Sequence, residues 1–438
     1  MKSSGKRIKL NVDTPLLVAV VLLVFIGILT IYSANIKKPE FHSKYIKQII
    51  AALIGVLIFV VFLYTEYHRF TQMWIFFFGA SIVMLLLTLL FARRIHGSKS
   101  WIFIFGQGFQ PSEFVKLFTI IAFAYYLDRI KKRIREVKFF LLCLLFVAPP
   151  IGLILLQPDF GTAVVFFPFV LVMMFIAGAD KKHIFSFLGI VFIGLGIPLI
   201  NFYVGDILNS TTNPILALRK SSVTLLVAIV FAVLSGILYL VHRHFKEKMI
   251  HVIMLVTLTL SLGFTFSIGV KSFLKRHHYQ RFLVFIDKDR IDPRGSGWNI
   301  SQSLTAIGAG GFRGQGFLAG NQKNGGFLPA QDTDFVFAVI AEEWGFIGSL
   351  VIMILFMIIL YRGVNVIFNA KDMIGSLIAA GIVSMLFFHI MINIGMTVGI
   401  MPVMGLPLPL LSYGGSFLIT CLGSIGLLLN IELRKYVY

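Results

Sequence analysis

The chain has 438 residues, of which 58% are hydrophobic and only 13% charged, and that balance excludes a soluble globular protein of this length. Lys and Arg outnumber Asp and Glu by 39 to 19, a formal charge of +20. Apolar runs near membrane-spanning length recur from end to end, so the basic excess is read as loops that set topology and meet anionic lipid, with no nucleic-acid partner inferred.

Backbone groups in lipid must bond within their own segment, so these runs select helices over a barrel. The expected fold is all-α: a polytopic membrane helical bundle of about twelve transmembrane helices, each needing about 20 apolar residues. In chain order they fall at roughly 15–33, 46–64, 73–91, 113–127, 139–156, 162–178, 183–203, 222–241, 251–269, 336–361, 374–397 and 410–430. No polar stretch is long enough for a separate soluble domain, so residues 1–438 are read as a single integral domain. The first run follows the basic start MKSSGKRIKLNVD; TIYSANIKK is only a loose cleavage match and many spans follow, so a retained span is expected over a cleaved signal. Cys143 and Cys421 fall inside apolar runs and read as small buried hydrophobes. DRIKKRIREVK at 128–138 and HRHFKEKM at 242–249 are the strongest inside markers, while NIKKPEFHSK at 35–44 argues weakly the other way. Both termini are therefore expected in the cytoplasm, and the long loop 270–335 outside.

Ionisable groups at membrane depth are expensive and are functional candidates by default. In FQPSEFVK, 109–116, Pro111 suits a first helical turn, and Glu113 and Lys116 are i, i+3 neighbours able to neutralise each other. The positive end of that helix favours an anion such as a diphosphate; a structural ion pair is the alternative. LLQPDFGT, 155–162, puts Asp159 at a break between spans, as a ligand group or as a plain helix cap. The long loop interleaves aromatic and aliphatic residues with Gly and single charges, a composition unlike disorder. Three aspartates, Asp287, Asp289 and Asp292, gather in it. Trp298, Phe312 and Phe317 in the same loop suit interfacial anchoring or stacking on sugar rings. GQGFLA at 314–319 follows no strand and is not read as a dinucleotide site; no phosphate-binding G-x-x-x-x-G-K-[ST] loop or H-E-x-x-H zinc helix occurs. Past the loop, TDFVFAVIAEEWG, 333–345, holds Asp334 at a span start and Glu342 and Glu343 two turns deeper. Then GIMPVMGLPLPLLSYGGS, 399–416, is a broken segment that membrane depth allows only under protein or a water cavity. These features describe a polar cavity opening outward, which fits an enzyme acting on a lipid-linked substrate or a transporter with broken helices.

Together QPSEFVK, QPDFGTA, DPRGSGWNISQSLTAIGAGGFRGQG, LPAQDTDFVFAVIAEEWG and PLPLLSYGGS resemble the SEDS family (shape, elongation, division and sporulation). The motifs run from about residue 98 to 430 in family order. AGNQ at 319–322, GLPLP at 405–409 and the short N-terminal tail lean toward its elongation branch over the division and sporulation branches. The resemblance implies a bacterial inner-membrane peptidoglycan glycosyltransferase that polymerises lipid II during cell-wall elongation and shape maintenance. Its implied partners are a class B penicillin-binding protein (a transpeptidase), the elongation machinery and membrane lipid. The family's essential loop carboxylate falls on Asp292, the Asp of D-P-x-G-x-G, while Asp287 and Asp289 precede the motif. Glu113 and Lys116 match its Glu/Lys pair and Asp159 its Q-P-D aspartate. Arg294, Gln302, Asp334, Glu342, Glu343 and Ser412 complete the expected substrate-binding set. The family usually crosses the bilayer about ten times; residues 204–250 are long enough for an inserted helical pair at about 20 apolar residues per span.

The implied reaction moves a growing glycan from a polyprenyl diphosphate to a sugar hydroxyl of an incoming lipid II. That hydroxyl is a poor nucleophile, so Asp292 is the expected general base, a role worth roughly 10²–10⁴ in rate. A β-linked product from an α-linked diphosphate requires inversion, hence one displacement. Lys116, held by Glu113, is the candidate to stabilise the leaving diphosphate, with Arg294 or a divalent cation (Mg or Mn) assisting; no resident metal site is read from the residues. The residue-level alternative for Asp292 is an Asp-Pro turn ahead of Gly295 and Gly297. Two other functions fit the same segments: lipid II flipping, which needs polar groups along the whole membrane path, and a non-catalytic scaffold for the transpeptidase, whose charges could be neutralised without loss.

Overall fold

The structure, a computed structural model, is described for residues 13–36, 41–95, 98–104, 107–210, 212–284, 286–287 and 295–436. Each of the twelve expected spans is a helix. They are α1 (Thr14–Asn35), α2 (Phe41–Tyr64), α4 (Trp74–Phe91), α5 (Pro111–Ile130), α6 (Val137–Leu156), α7 (Phe160–Ile176), α8 (Lys181–Phe202), α9 (Ser221–Phe245), α10 (Lys248–Phe273), α14 (Val336–Asn369), α15 (Met373–Thr397) and α16 (Gly415–Leu433). Between them lie the short helices α3 (Tyr67–Gln72), α11 (Arg276–Leu283), α12 (Ser296–Gly310) and α13 (Asn321–Asn324). Among the described residues ten helices are long and apolar enough to cross a bilayer. The other two spans are α5, broken by Glu113, Lys116, Asp128 and Arg129, and α7, which has 17 residues.

Two local differences from the sequence reading have plain causes. Residues 93–109 pair as a small antiparallel sheet, β1 (Arg93–Ile95), β2 (Ser98–Ile104) and β3 (Gln107–Phe109), with Ile102 opposite Phe109. The run Trp101–Ile104 is made of strand-favouring aromatic and β-branched residues, but it has no period-2 alternation and is hidden between two apolar spans. The last span begins at Gly415 instead of near 410, because Leu410 takes a left-handed φ of 66° and the Ser412 hydroxyl accepts from Leu408 N of the preceding turn.

The chain divides into two compact units, one formed by residues up to Ala179 with those from Ser301 onward, the other by Asp180–Ile300. In the second, α9 and α10 pack as a hairpin, tied by Ser261 Oγ to Ala228 O at 2.8 Å and Ser235 Oγ to Met254 O at 3.2 Å. The segment 204–250 thus contributes most of a π-helical turn (Tyr203–Ile207), a 3-10 turn (Pro214–Arg219), α9 and the first residues of α10.

In the first unit α15 and α16 are central. Within their most apolar windows 72% and 83% of residues are buried by protein, against 22% for α4, which faces outward. Close approach requires small residues: a Cβ at Gly426 would meet the Phe59 backbone at 2.6 Å, and one at Gly381 would meet Ile120 and Met173 side chains. α14 breaks at Gly345, whose φ is 66°. The segment 308–316 fills that break backbone to backbone: Gln315 N and Gly316 N donate to Glu342 O and Glu343 O at 3.0 and 2.9 Å, and Phe346 N to Gly311 O at 2.9 Å.

Candidate functional site

Polar side chains of the first unit collect where α1 and α15 finish and α5, α7, α14 and α16 begin. The N-terminal turn of α5 carries Pro111 at its first position and Glu113 and Lys116 one turn apart. Lys116 Nζ lies 2.7 Å from Glu113 Oε2 and 3.0 Å from His389 Nε2, and His389 Nδ1 lies 3.2 Å from Pro407 O. Glu113 is 2% exposed, and Lys116 and His389 are 0% exposed. Phe417, at the start of α16, closes over both: the ammonium is 5.2 Å from its ring centroid and the imidazole centroid 4.7 Å away. The expected Glu113–Lys116 pair is therefore formed. The ammonium is sealed from solvent, so in this conformation it acts by its field and by what it holds in place.

Asp159 realises the cap reading, since its Oδ1 accepts from Thr162 N at 3.2 Å. Its second oxygen accepts from Gln110 Nε2 at 3.1 Å, and Gln110 N donates to Ser416 Oγ at 3.1 Å. One residue before α5, Gln110 so ties the starts of α5, α7 and α16 together.

The broken segment between α15 and α16 is buried under protein, with Leu406, Leu408, Leu410 and Leu411 at 3% exposure or less. Asn393 Nδ2 donates to Leu406 O at 2.7 Å and to Asp334 O at 2.9 Å, joining this segment to the start of α14. Ser412 Oγ accepts from Leu408 N and donates to Thr333 O at 2.6 Å, so its hydroxyl is engaged by backbone. Gln48 of α2 bonds Ser412 O and Gly414 N, and Lys44 reaches Asp332 at 2.8 Å.

Deeper in α14, the two adjacent carboxylates point different ways and each finds a partner. Glu342 accepts from the backbone N–H groups of Gln322 and Lys323 at 2.6 and 3.2 Å. Glu343 pairs with Lys323 Nζ, and Ser33 of α1 bonds both members, accepting from Lys323 at 2.6 Å. Lys323, Glu342 and Glu343 are all buried.

Of the sequence candidates, Glu113, Lys116, Asp159, Asp334 and Ser412 meet at this end through Gln110, His389, Asn393 and Ser416. Glu342 and Glu343 are engaged with the 320–324 turn. Gln302 is half-buried on α12, whereas Trp298, Phe312 and Phe317 are exposed. Asp292 and Arg294 lie outside the described residues, as does Asp289. His389 and Lys323 were missing from the sequence reading. The His389 signal was present, a single ionisable residue inside the apolar run SMLFFHIMIN; Lys323 sits among Gly and Asn and looks like an ordinary loop residue. Among the described residues no group of three or more His, Cys, Asp or Glu side chains is arranged to hold a metal ion.

The model of the FtsW, RodA and SpoVE family, described as "Cell cycle protein", matches residues 14–204 and 215–436. The chain belongs to this family. Among its FtsW/RodA/SpoVE relatives is the peptidoglycan glycosyltransferase RodA of Treponema pallidum, 36% identical over 441 residues, covering 97% of this chain and 98% of that protein. Stage V sporulation protein E of Bacillus subtilis is 32% identical over 434 residues, covering 97% and 98%. A chain of the solved structure described as "Structural coordination of polymerization and crosslinking by a peptidoglycan synthase complex" is 27% identical, with a TM-score of 0.68 over 98% of this chain and 100% of that one. The higher identity to the RodA relative agrees with the elongation-branch motifs AGNQ and GLPLP. The family match leaves only 205–214 uncovered between its two blocks.

Proposed function

We propose that the protein is an inverting peptidoglycan glycosyltransferase that extends glycan strands from lipid II at the outer face of the bacterial cytoplasmic membrane. Family membership beside a relative named a peptidoglycan glycosyltransferase supports this. The geometric observation that carries it is the fully buried Glu113–Lys116–His389 chain, joined through Pro407 to the broken segment 399–414. A buried ion pair at the head of a bundle is costly and is kept where charge must be handled.

In the proposed reaction the acceptor hydroxyl oxygen attacks the anomeric carbon of the donor sugar. The bond from that carbon to the diphosphate oxygen breaks, and the hydroxyl proton passes to Asp292. Inversion follows from the single displacement. Negative charge grows on the leaving diphosphate and is met by Arg294 and by the positive end of the α5 dipole. Lys116 contributes its field from within the protein and fixes the segment around Pro407. Asp159, Gln302 and Asp334 complete the substrate contacts.

The excess of basic residues in 128–138 and 242–249 supports placing both termini in the cytoplasm and the loop 270–335 outside, where the diphosphate-sugar headgroup of the polyprenyl-linked substrate arrives. A class B penicillin-binding transpeptidase is the proposed partner, in keeping with the polymerising and crosslinking complex to which the fold is similar. The test is incubation of the purified complex with labelled lipid II in detergent, where no membrane sidedness exists. Glycan polymer is expected. No polymer from a complex whose transpeptidase is active would transfer the assignment to lipid II flipping.

A further inference from the structure

His389 is fully buried inside an apolar helix, and none of the bond-making, bond-breaking or proton-transfer steps proposed above uses it directly. Its surroundings define its protonation. Pro407 O, 3.2 Å from Nδ1, can only accept, so Nδ1 carries a proton. Were Nε2 also protonated, two donors and two positive charges would face each other at 3.0 Å in a site sealed from bulk solvent, because Lys116 Nζ is the group opposite. The ring is therefore neutral, with the Nε2 lone pair accepting from the ammonium.

Lys116 then pairs its charge with the Glu113 carboxylate at 2.7 Å, bonds Nε2, and lies over the Phe417 ring. Glu113 stands on the same helix one turn away and cannot by itself fix the ammonium relative to the rest of the bundle. His389 supplies the polar tie to α15. Asn393, one turn further along α15, holds Leu406 O, so two side chains of one helix face clip the broken segment at Leu406 and Pro407.

We propose that His389 is a positioning residue for the glycosyltransferase reaction: its Nε2 fixes the Lys116 ammonium, while the Pro407 carbonyl selects the tautomer that makes Nε2 an acceptor. The inference rests on the function proposed above. It separates from a purely structural role because the two ring nitrogens do different things. A Gln side chain places an amide oxygen near the Nε2 position, whereas Asn places its polar atoms near Nδ1.

The experiment compares lipid II polymerisation by wild type, His389→Gln, His389→Asn and His389→Leu in complex with the transpeptidase, with unfolding midpoints in the same detergent confining the comparison to folded variants. The expected result is that His389→Gln keeps most of the activity. His389→Asn and His389→Leu lose roughly 10- to 100-fold in kcat with little change in KM, the scale of one lost hydrogen bond to a buried charge. Activity retained by Asn and lost by Gln would show that the ring only supports Pro407, overturning the proposal; equal activity in all four proteins, or equal loss in the three variants, would do the same. Nitrogen NMR of ¹⁵N-histidine-labelled wild type gives a readout independent of turnover. A neutral ring protonated at Nδ1 is expected, and an imidazolium or an Nε2–H tautomer overturns the proposal. Absence of polymer from the wild type would instead count against the glycosyltransferase reading, with the spectrum still deciding the contact.

Discussion

Replacing Lys323 with Met tests whether the polar knot under α14 is a true buried ion pair. The Lys323 side chain is 1% exposed and that of Glu343 2%, with Ser33 Oγ bonding both. Met keeps the length of the side chain and removes the charge, leaving the Glu343 carboxylate buried with the Ser33 hydroxyl as its one remaining donor among these contacts. Breaking a buried pair from one side costs about 3–5 kcal/mol, because the abandoned ion loses its partner without regaining water. Glu343→Gln should cost a comparable amount by stranding the ammonium. The double variant Lys323→Met/Glu343→Gln should cost clearly less than the sum, since neither charge remains. Thermal unfolding of the four proteins in one detergent measures this cycle. Single losses below about 1 kcal/mol with additive behaviour would mean a solvated, surface-like pair and would refute the reasoning.

Three further outcomes follow from other sites. Gly314→Ala should destabilise by about 2 kcal/mol, because Gly314 has a φ of 81° and a Cβ there would collide with the Glu343 carbonyl; an unchanged unfolding midpoint would contradict the packing of 308–316 into the α14 break. Burial, helped by the Asp372 carboxylate 2.6 Å away, pushes the Tyr67 phenol above its ordinary value near 10. The neutral phenol is thus favoured by folding, so its contribution is full below the unfolded-state value and declines as pH rises past it. Tyr67→Phe should be less stable than wild type at neutral pH yet lose stability less steeply above pH ~10, and parallel alkaline curves would contradict the burial. Asn393→Leu removes the bonds to Leu406 O and Asp334 O while keeping bulk, and should lower both unfolding midpoint and polymerisation.

The architecture was legible because bilayer thickness imposes a length on every apolar run, and all twelve expected spans are helices, with only the start of the last one displaced. Glu113, Lys116 and Asp159 were legible for the opposite reason: charges stand out against an apolar background. His389 also stood out and was passed over, since its partners come from α5 and from the 405–409 turn, far away in sequence. Lys323 could not be recognised from its neighbours at all. Only the fold brings it to Glu343, across a glycine-lined contact that local pattern does not encode. Ser412 reads in sequence as a ligand group, and the structure spends its hydroxyl on Leu408 N and Thr333 O. The start of α16 was displaced by the same local bonding, a choice that hydropathy cannot see.

Asp292 is the residue on which the functional account stands. The most direct measurement is glycan polymer formed from labelled lipid II by the purified transpeptidase complex in detergent, comparing wild type with Asp292→Ala at matched folding. The account predicts polymer from wild type and a loss of roughly 10²–10⁴ in rate for the variant, the worth of a general base. Polymer at equal rate from both proteins would contradict it.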